Sequence, residues 1–360
     1  MSKVIFVSDT HWGARNDAMV FSKYFGRYYD EVFFPLMEKE GITHIIHLGD
    51  IVDRRKHINF MSLHMMKKHF FDPIFQKGYK LDVILGNHDV AFKNTNEINA
   101  MEELFSYVNN PNFRYFSSPA DVDVDGTSIA YLPWICSGNY AESMKFIKQT
   151  KSQILLGHLE LKGFEMYRGA INDHGFDPSI FGKFDLVCSG HFHHKSTIGN
   201  INYLGSPYEI TWSDYNDPRG AHIFDTETRE LTYHQNPLRM FFKLFYDDAQ
   251  ATRKQLLDYV KSQQLIEESF VKVVIKSKTK PALFDTFIKA VEEYKVSDIQ
   301  IVEDHLNLNM IADGDIIDEA EDTMTILSKY VEQIGSDAGF DRDMVVSFLG
   351  DLYHEAMSLE

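Results

Sequence analysis

Five short, largely apolar runs constrain this chain most, because each ends in a small residue and then polar side chains of the kind that bind metals. They are Val4–Val7 before Ser8-Asp9, Ile45–Leu48 before Gly49-Asp50, Leu81–Leu85 before Gly86-Asn87, Ile154–Leu156 before Gly157-His158, and Phe184–Cys188 before Ser189-Gly190-His191. Runs this short and this apolar suit strands buried on both faces of a sheet. Helix-like stretches lie between the first three, from Phe21 to Lys39 and from Ile58 to Lys77. Alternating strand and helix predict an α/β layered (sandwich) domain whose site is built by the loops at the strand ends.

The pattern changes after two turn-rich segments, Gly205-Ser206-Pro207 and Asp217-Pro218-Arg219-Gly220. Leu238 to Tyr246 reads as a strand leaving the first domain. A helix (Thr252–Gln263), an alternating strand (Phe270–Lys276), a helix opened by Pro281 and a strand near Ile299–Val302 follow. The expected organisation is therefore a main domain over 1–240, a small α+β capping domain over 241–305, and an acidic linker with a helical segment over 306–360. With 44% apolar residues the chain has ample material for cores, which excludes wholesale disorder.

The net charge of −17 argues against broad contact with nucleic acid, but it is unevenly spread. Residues 297–360 hold 16 acidic and 2 basic residues, so they carry −14 and the other 296 residues only −3. In this tail, Val345, Phe348, Leu349, Leu352, Tyr353 and Ala356 line one face of a helix over Asp341–Met357. Ile317, Ala320, Met324, Leu327, Val331 and Ile334 do the same for a preceding helix. Apolar stripes on an acidic helix pair suit docking to a protein partner. No N-terminal leader is legible and no apolar run nears the ~18 residues of a membrane span, so no membrane association and a cytoplasmic protein are expected.

The polar residues at the strand ends are Asp9 and His11, Asp50, Asn87 and His88, His158, and His191 and His193. In an extended segment, residues i and i+2 point the same way, so Asp9/His11 and His191/His193 would each present two ligands to one side. Carboxylate and amide oxygens mixed with imidazoles, and no thiolate, suit Mn²⁺, Fe²⁺ or Zn²⁺ in a catalytic setting. Setting His88 aside, seven ligands are too many for one ion and fit two that share a bridge. The two cysteines, Cys136 and Cys188, provide neither a disulfide framework nor a thiolate zinc site.

In order, Asp9-Thr10-His11, Gly49-Asp50-Ile51-Val52-Asp53, Gly86-Asn87-His88-Asp89, Gly157-His158 and Gly190-His191-Phe192-His193 resemble the five motifs of calcineurin-like phosphoesterases. The resemblance covers about residues 1–240. It implies one metal on Asp9, His11, Asp50 and His193, and a second on Asp50, Asn87, His158 and His191, with Asp50 as the bridge. It also implies that His88 stabilises or protonates the leaving oxygen, and that Asp53 orients His88; a salt bridge from Asp53 to a nearby arginine is the alternative.

Within this superfamily a Ser/Thr phosphoprotein phosphatase, or another small-molecule phosphodiesterase, is the competing reading. Gly49-Asp50-Ile51-Val52-Asp53-Arg54 fits phosphatases, yet these continue with Gly where Arg55 stands and carry Glu where Asp89 stands. A small phosphodiesterase leaves residues 241–360 unexplained. The whole chain resembles SbcD-type nuclease subunits of double-strand-break repair, most of all those of tailed bacteriophages. That resemblance implies a Mn²⁺-dependent nuclease (Mg²⁺ the alternative) with exonuclease and endonuclease action on DNA in recombination and repair. It further implies docking of the C-terminal helices on an SbcC-type ATPase and homodimerisation through helices near the second and third motifs. Arg54, Arg55 and Lys56 are candidates to meet the DNA backbone, with a solvated loop as the bland alternative. Trp134, Tyr208 and Trp212 are either groove-lining or core aromatics.

Overall fold

The computed structural model describes residues 3–303 and, beyond them, Val345 alone. All five strand expectations are met, at Lys3–Val7, His44–His47, Lys80–Ile84, Ile154–His158 and Leu186–Gly190. They belong to two six-stranded sheets. The first runs Leu231–Gln235, Gly220–Asp225, Lys3–Val7, His44–His47, Lys80–Ile84, Phe113–Phe116. The second runs Ser196–Ile198, Ile201–Tyr203, Leu186–Gly190, Ile154–His158, Thr127–Leu132, Ala120–Val124. Lys3–Val7, His44–His47 and Lys80–Ile84 pair in parallel, as do Ile154–His158 and Leu186–Gly190, so within each sheet their carboxyl ends lie together.

The two-residue period of a strand divides its side chains between two cores. Val4 and Phe6, with Ile46, Leu48 and Ile84, pack against Ile129, Tyr131, Ile154, Leu156 and Cys188 between the sheets. Ile5, Val7, Ile45 and Val83 face outward beneath a layer that includes Phe25, Phe33, Phe70 and Phe71. Leu155 and Val187 pack outward with Ile147 of the helix Tyr140–Gln149. Helices thus cover both outer faces of a two-sheet sandwich, the layered α/β architecture read from the sequence.

The two helical stretches of the first half each contain a π-helical turn, at Tyr29–Phe33 and Lys67–Phe71, followed by α-helix from Phe34 and from Asp72. Pro35 and Pro73 explain the position. Proline lacks the N–H of the i→i−4 bond and its ring crowds the i−4 carbonyl, here Glu31 and His69, both inside the π turns. Of the apolar residues in Ile58 to Phe71, Met66, Phe70 and Phe71 are fully buried on their own sheet. Phe60 is 89% and Met61 51% exposed.

Phe241–Asp247, Phe270–Ser277 and Asp298–Glu303 form a separate parallel sheet, with Arg253–Ser262 and Pro281–Glu292 as crossover helices and a core of its own. Its junction with the first part of the chain is aromatic, with Phe21 stacked on Phe270 at 5.4 Å. The two acidic tail helices expected over 313–360 lie outside the described residues. Among the described residues no helix is long and apolar enough to cross a membrane.

Candidate metal centre

The loops after the parallel strands are tied together by their own backbones before any side chain contributes. Asp9 N donates to Gly49 O at 3.0 Å, Thr10 N to Asp50 O at 2.9 Å, and Trp12 N to Ile51 O at 2.8 Å. The side chains then converge as overlapping groups. Ligand atoms of Asp9, His11 and His193 lie within 4.8 Å of one another, and so do those of Asp50, His158 and His191; His88 meets the same limit with His11 and Asp50. Asp50 Oδ2 sits 3.3 Å from His158 Nε2 and 3.8 Å from His11 Nε2, so this carboxylate stands between the two groups. Asn87 Oδ1 is 3.0 Å from both His158 Nε2 and His191 Nδ1. His11 Nε2 and His193 Nε2 face each other at 3.0 Å.

All seven residues that the sequence singled out as ligands are therefore in one place, but extended backbone is not what brings them there. Asp9 and His11 have φ of 54° and 42°, Asp50 56° and His191 95°. These are left-handed, not extended, conformations. Sharp turns and not strand alternation aim the side chains inward. A non-glycine residue in this region costs about 1–2 kcal/mol, and such strain concentrates at functional sites.

Asp89, used in the sequence only to separate phosphatases from other relatives, proves to be a structural brace. Its fully buried carboxylate accepts from Asp50 N and Ile51 N, both at 2.8 Å, and from Gly86 N at 2.9 Å. It thus locks the second motif onto the third. Burial and the neighbouring Asp50 push its carboxyl above the usual range. Its place in the third motif, two residues after Asn87, was the available signal.

Asp53 also takes a different partner from the one expected. Its carboxylate Oδ1 lies 3.5 Å from His11 Nδ1, whereas His88 Nδ1 donates to the backbone carbonyl of Asp53. No arginine pairs with this carboxylate among the described ion pairs. Asp53 therefore stands beside the second ring nitrogen of a candidate ligand, at ion-pair rather than hydrogen-bond distance, on the side from which carboxylates commonly steer metal-binding histidines. His88 is held by the same residue's main chain, while the side chain of Asp53 faces His11. The His88 and His11 rings meet edge to face at 4.9 Å, and His88 Nδ1–H on a carbonyl leaves Nε2 as its other functional atom.

The electrostatics favour cations. Burial lowers the His11 imidazolium, but Asp53, Asp50 and Asp9 outweigh it and hold the group at about 10. His158 is likewise held at about 9, against burial, chiefly by Asp50. Burial alone would raise Asp50, yet His158, His88 and His11 keep it well below the usual carboxylate range. Buried acids thus draw positive charge into this spot, a requirement that divalent cations meet. Oxygen and imidazole donors facing one another, without thiolates, fit such ions.

Arg54 is committed elsewhere, with Nη1 3.2 Å from Asp17 and Nη2 2.6 Å from Asn16. Arg55 is half-buried and Lys56 exposed on the same loop. Tyr208 and Trp212 are core residues, while the half-buried Trp134 ring lies 5.3 Å from that of His191.

The sequence profile of calcineurin-like phosphoesterases matches residues 2–195, a span that contains all seven candidate ligands and His88. The chain belongs to this family. Over 319 residues, 89% of either chain, it is 32% identical to a protein of Enterobacteria phage T4 called exonuclease subunit 1. Proteins named as the SbcD subunits of SbcCD nucleases match shorter stretches. The one from Staphylococcus saprophyticus is 31% identical over 102 residues, about a quarter of either chain. The one from Staphylococcus epidermidis is 32% identical over 94 residues.

Proposed function

We propose that this phosphoesterase is a two-metal DNA nuclease subunit, dependent on Mn²⁺. The observation that carries the reading is Asp50, poised between two groups of donors, in a chain similar along 89% of its length to a phage exonuclease subunit. One ion would be held by Asp9, His11, Asp50 and His193, the other by Asp50, Asn87, His158 and His191. The chemistry such a pair supplies is charge stabilisation of the phosphoryl oxygens and a water acidic enough to attack at neutral pH. Asp53 keeps His11 in its ligating orientation. Asp89 holds the Asp50 turn rigid. His88, fixed through Nδ1, directs Nε2 to the leaving oxygen and stabilises or protonates it.

Substrate and partners follow in the same reading. DNA is the substrate, with Arg55 and Lys56 as backbone contacts and Arg54 less suited because Asp17 and Asn16 already hold it. Residues 241–305 cap the nuclease domain. A second copy covers the exposed Phe60 and Met61, making a homodimer. An SbcC-type ATPase receives the acidic 306–360 segment, as the relatives' being named subunits supports. The test is cleavage of linear duplex and single-stranded DNA with Mn²⁺ against Mg²⁺, beside a phosphopeptide control. DNA cleavage is expected; turnover of the phosphopeptide without DNA cleavage would replace this reading with a phosphatase. Co-purification with the ATPase, lost on removal of 313–360, tests the docking.

A further inference from the structure

Beside the metal centre lies a pocket of about 350 Å³ with mixed chemistry. One wall is the loop that leaves the second motif, with Val52, Arg55 and Ile58; the other follows the third motif, with Ala91, Phe92 and Ile98. Val52 is two residues beyond Asp50 and Ala91 three beyond His88. Three residues span at most about 11 Å, so these two wall residues lie within a nucleotide or two of the candidate metal site. Its size falls at the low end for ligand pockets, about 300–1,000 Å³, which suits one nucleotide and not a longer stretch.

The lining chooses the ligand. Phe92 and Ile98 are large apolar side chains left 48% and 46% exposed, a surface on which a base can stack. Arg55 Nη1 is buried with no hydrogen-bond partner, in contrast to the neighbouring Arg54, whose two terminal nitrogens bond Asp17 and Asn16. A buried cationic donor without an acceptor is costly to leave unmade and calls for an anion. An aromatic platform beside a guanidinium nitrogen without a partner matches the two halves of a nucleotide. We propose that this pocket holds one unstacked nucleobase of the DNA strand being cut, with Arg55 paired to the adjoining phosphate. This rests on the nuclease reading above and adds a selectivity to it. A base must leave the duplex to enter, so ends that are mismatched or frayed are cut faster than fully paired ones.

The test uses the full-length chain as wild type, Phe92→Ala and Ala91→Trp, the latter filling the pocket. Two substrates are compared: duplexes with paired or mismatched ends, and bis(p-nitrophenyl) phosphate, which has no base. Both variants should lose about tenfold or more in kcat/KM on DNA, since stacking contributes on that scale. They should retain turnover of the small diester and lose the preference for mismatched ends. Arg55→Gln should make the salt dependence of DNA binding shallower by about one counterion. Unchanged DNA turnover in Phe92→Ala and Ala91→Trp would overturn the proposal. So would a changed oligomeric state with DNA turnover intact, which would give the pocket to a second copy of the chain. A wild-type enzyme that cut the small diester but no DNA would instead overturn the nuclease reading itself.

Discussion

Gly86 holds no unusual backbone angle, so its need for glycine is purely one of space. A Cβ placed there would lie 2.2 Å from Asp50 Oδ1, 2.5 Å from Asp50 N and 2.8 Å from His158 Cε1. Ordinary contact begins near 3.4 Å, so Gly86→Ala must push the carboxylate of Asp50 by about 1 Å, or move the loop. The backbone part of the clash cannot be relieved by a side-chain rotation. Overpacking of this kind costs about 1–3 kcal/mol. At about 2–4 °C per kcal/mol for a domain of this size, the melting temperature should fall by several degrees. The effect on catalysis should be larger, because a displacement of about 1 Å of a reacting-site group costs about 10²-fold. Gly41→Ala is the matched control: nothing lies within 4 Å of its Cβ, and only its φ of 69° makes alanine unfavourable. It should lose about 1–2 kcal/mol of stability and no activity. Thermal melts and kcat/KM on a small diester read both effects. Gly86→Ala with wild-type turnover would refute the claim that this glycine makes room for Asp50.

Asp53→Ala should weaken metal binding about 10–100-fold, measured by competition with a chelating dye, because the carboxylate steers His11; unchanged affinity would return it to the role of partner to His88. His88→Ala should keep its metals and lose about 10²–10⁴-fold in cleavage, whereas loss of an ion on metal analysis would make it a ligand. Burial pushes Glu209 up to about 7, although its Oε2 accepts from Met240 N and Phe241 N. The folded chain thus holds this proton more tightly than the unfolded one, so stability from Glu209 is fullest below about 4.5 and lost as pH rises to about 7. Glu209→Gln should therefore be more stable than wild type above pH 7, by up to about 3 kcal/mol, and equal near pH 4, as read by denaturant melts.

The five strand ends were legible because strands buried on both faces must be apolar without a break, and the residues that stop each run are those the site uses. Less could be read where a signal is shared between alternatives. Ala120–Val124 alternates polar and apolar at the edge of its sheet, and Ser196–Ile198 is three residues long, so neither stands out from loop. The π turns depend on where Pro35 and Pro73 fall relative to a carbonyl four residues back, which periodicity does not reveal. Asp53 is the plainest case. Its place three residues after Asp50 does not say which histidine its carboxylate reaches; the folded chain sets it 3.5 Å from His11 Nδ1. The same turns brought Asp9 and His11 together although the extended geometry inferred from i, i+2 spacing is absent.

Whether one carboxylate is shared by two ions is tested most directly by the metal content of Asp50→Asn. Wild-type and variant chains are stripped, reloaded with Mn²⁺, desalted and assayed for ions per folded chain and for cleavage of linear DNA. With Asp50 standing 3.3 Å from His158 and 3.8 Å from His11, the wild type should retain two ions, and the folded variant should lose its tight hold on both together with its nuclease activity. Two tightly held ions in Asp50→Asn, or loss of one ion alone, would contradict the bridge.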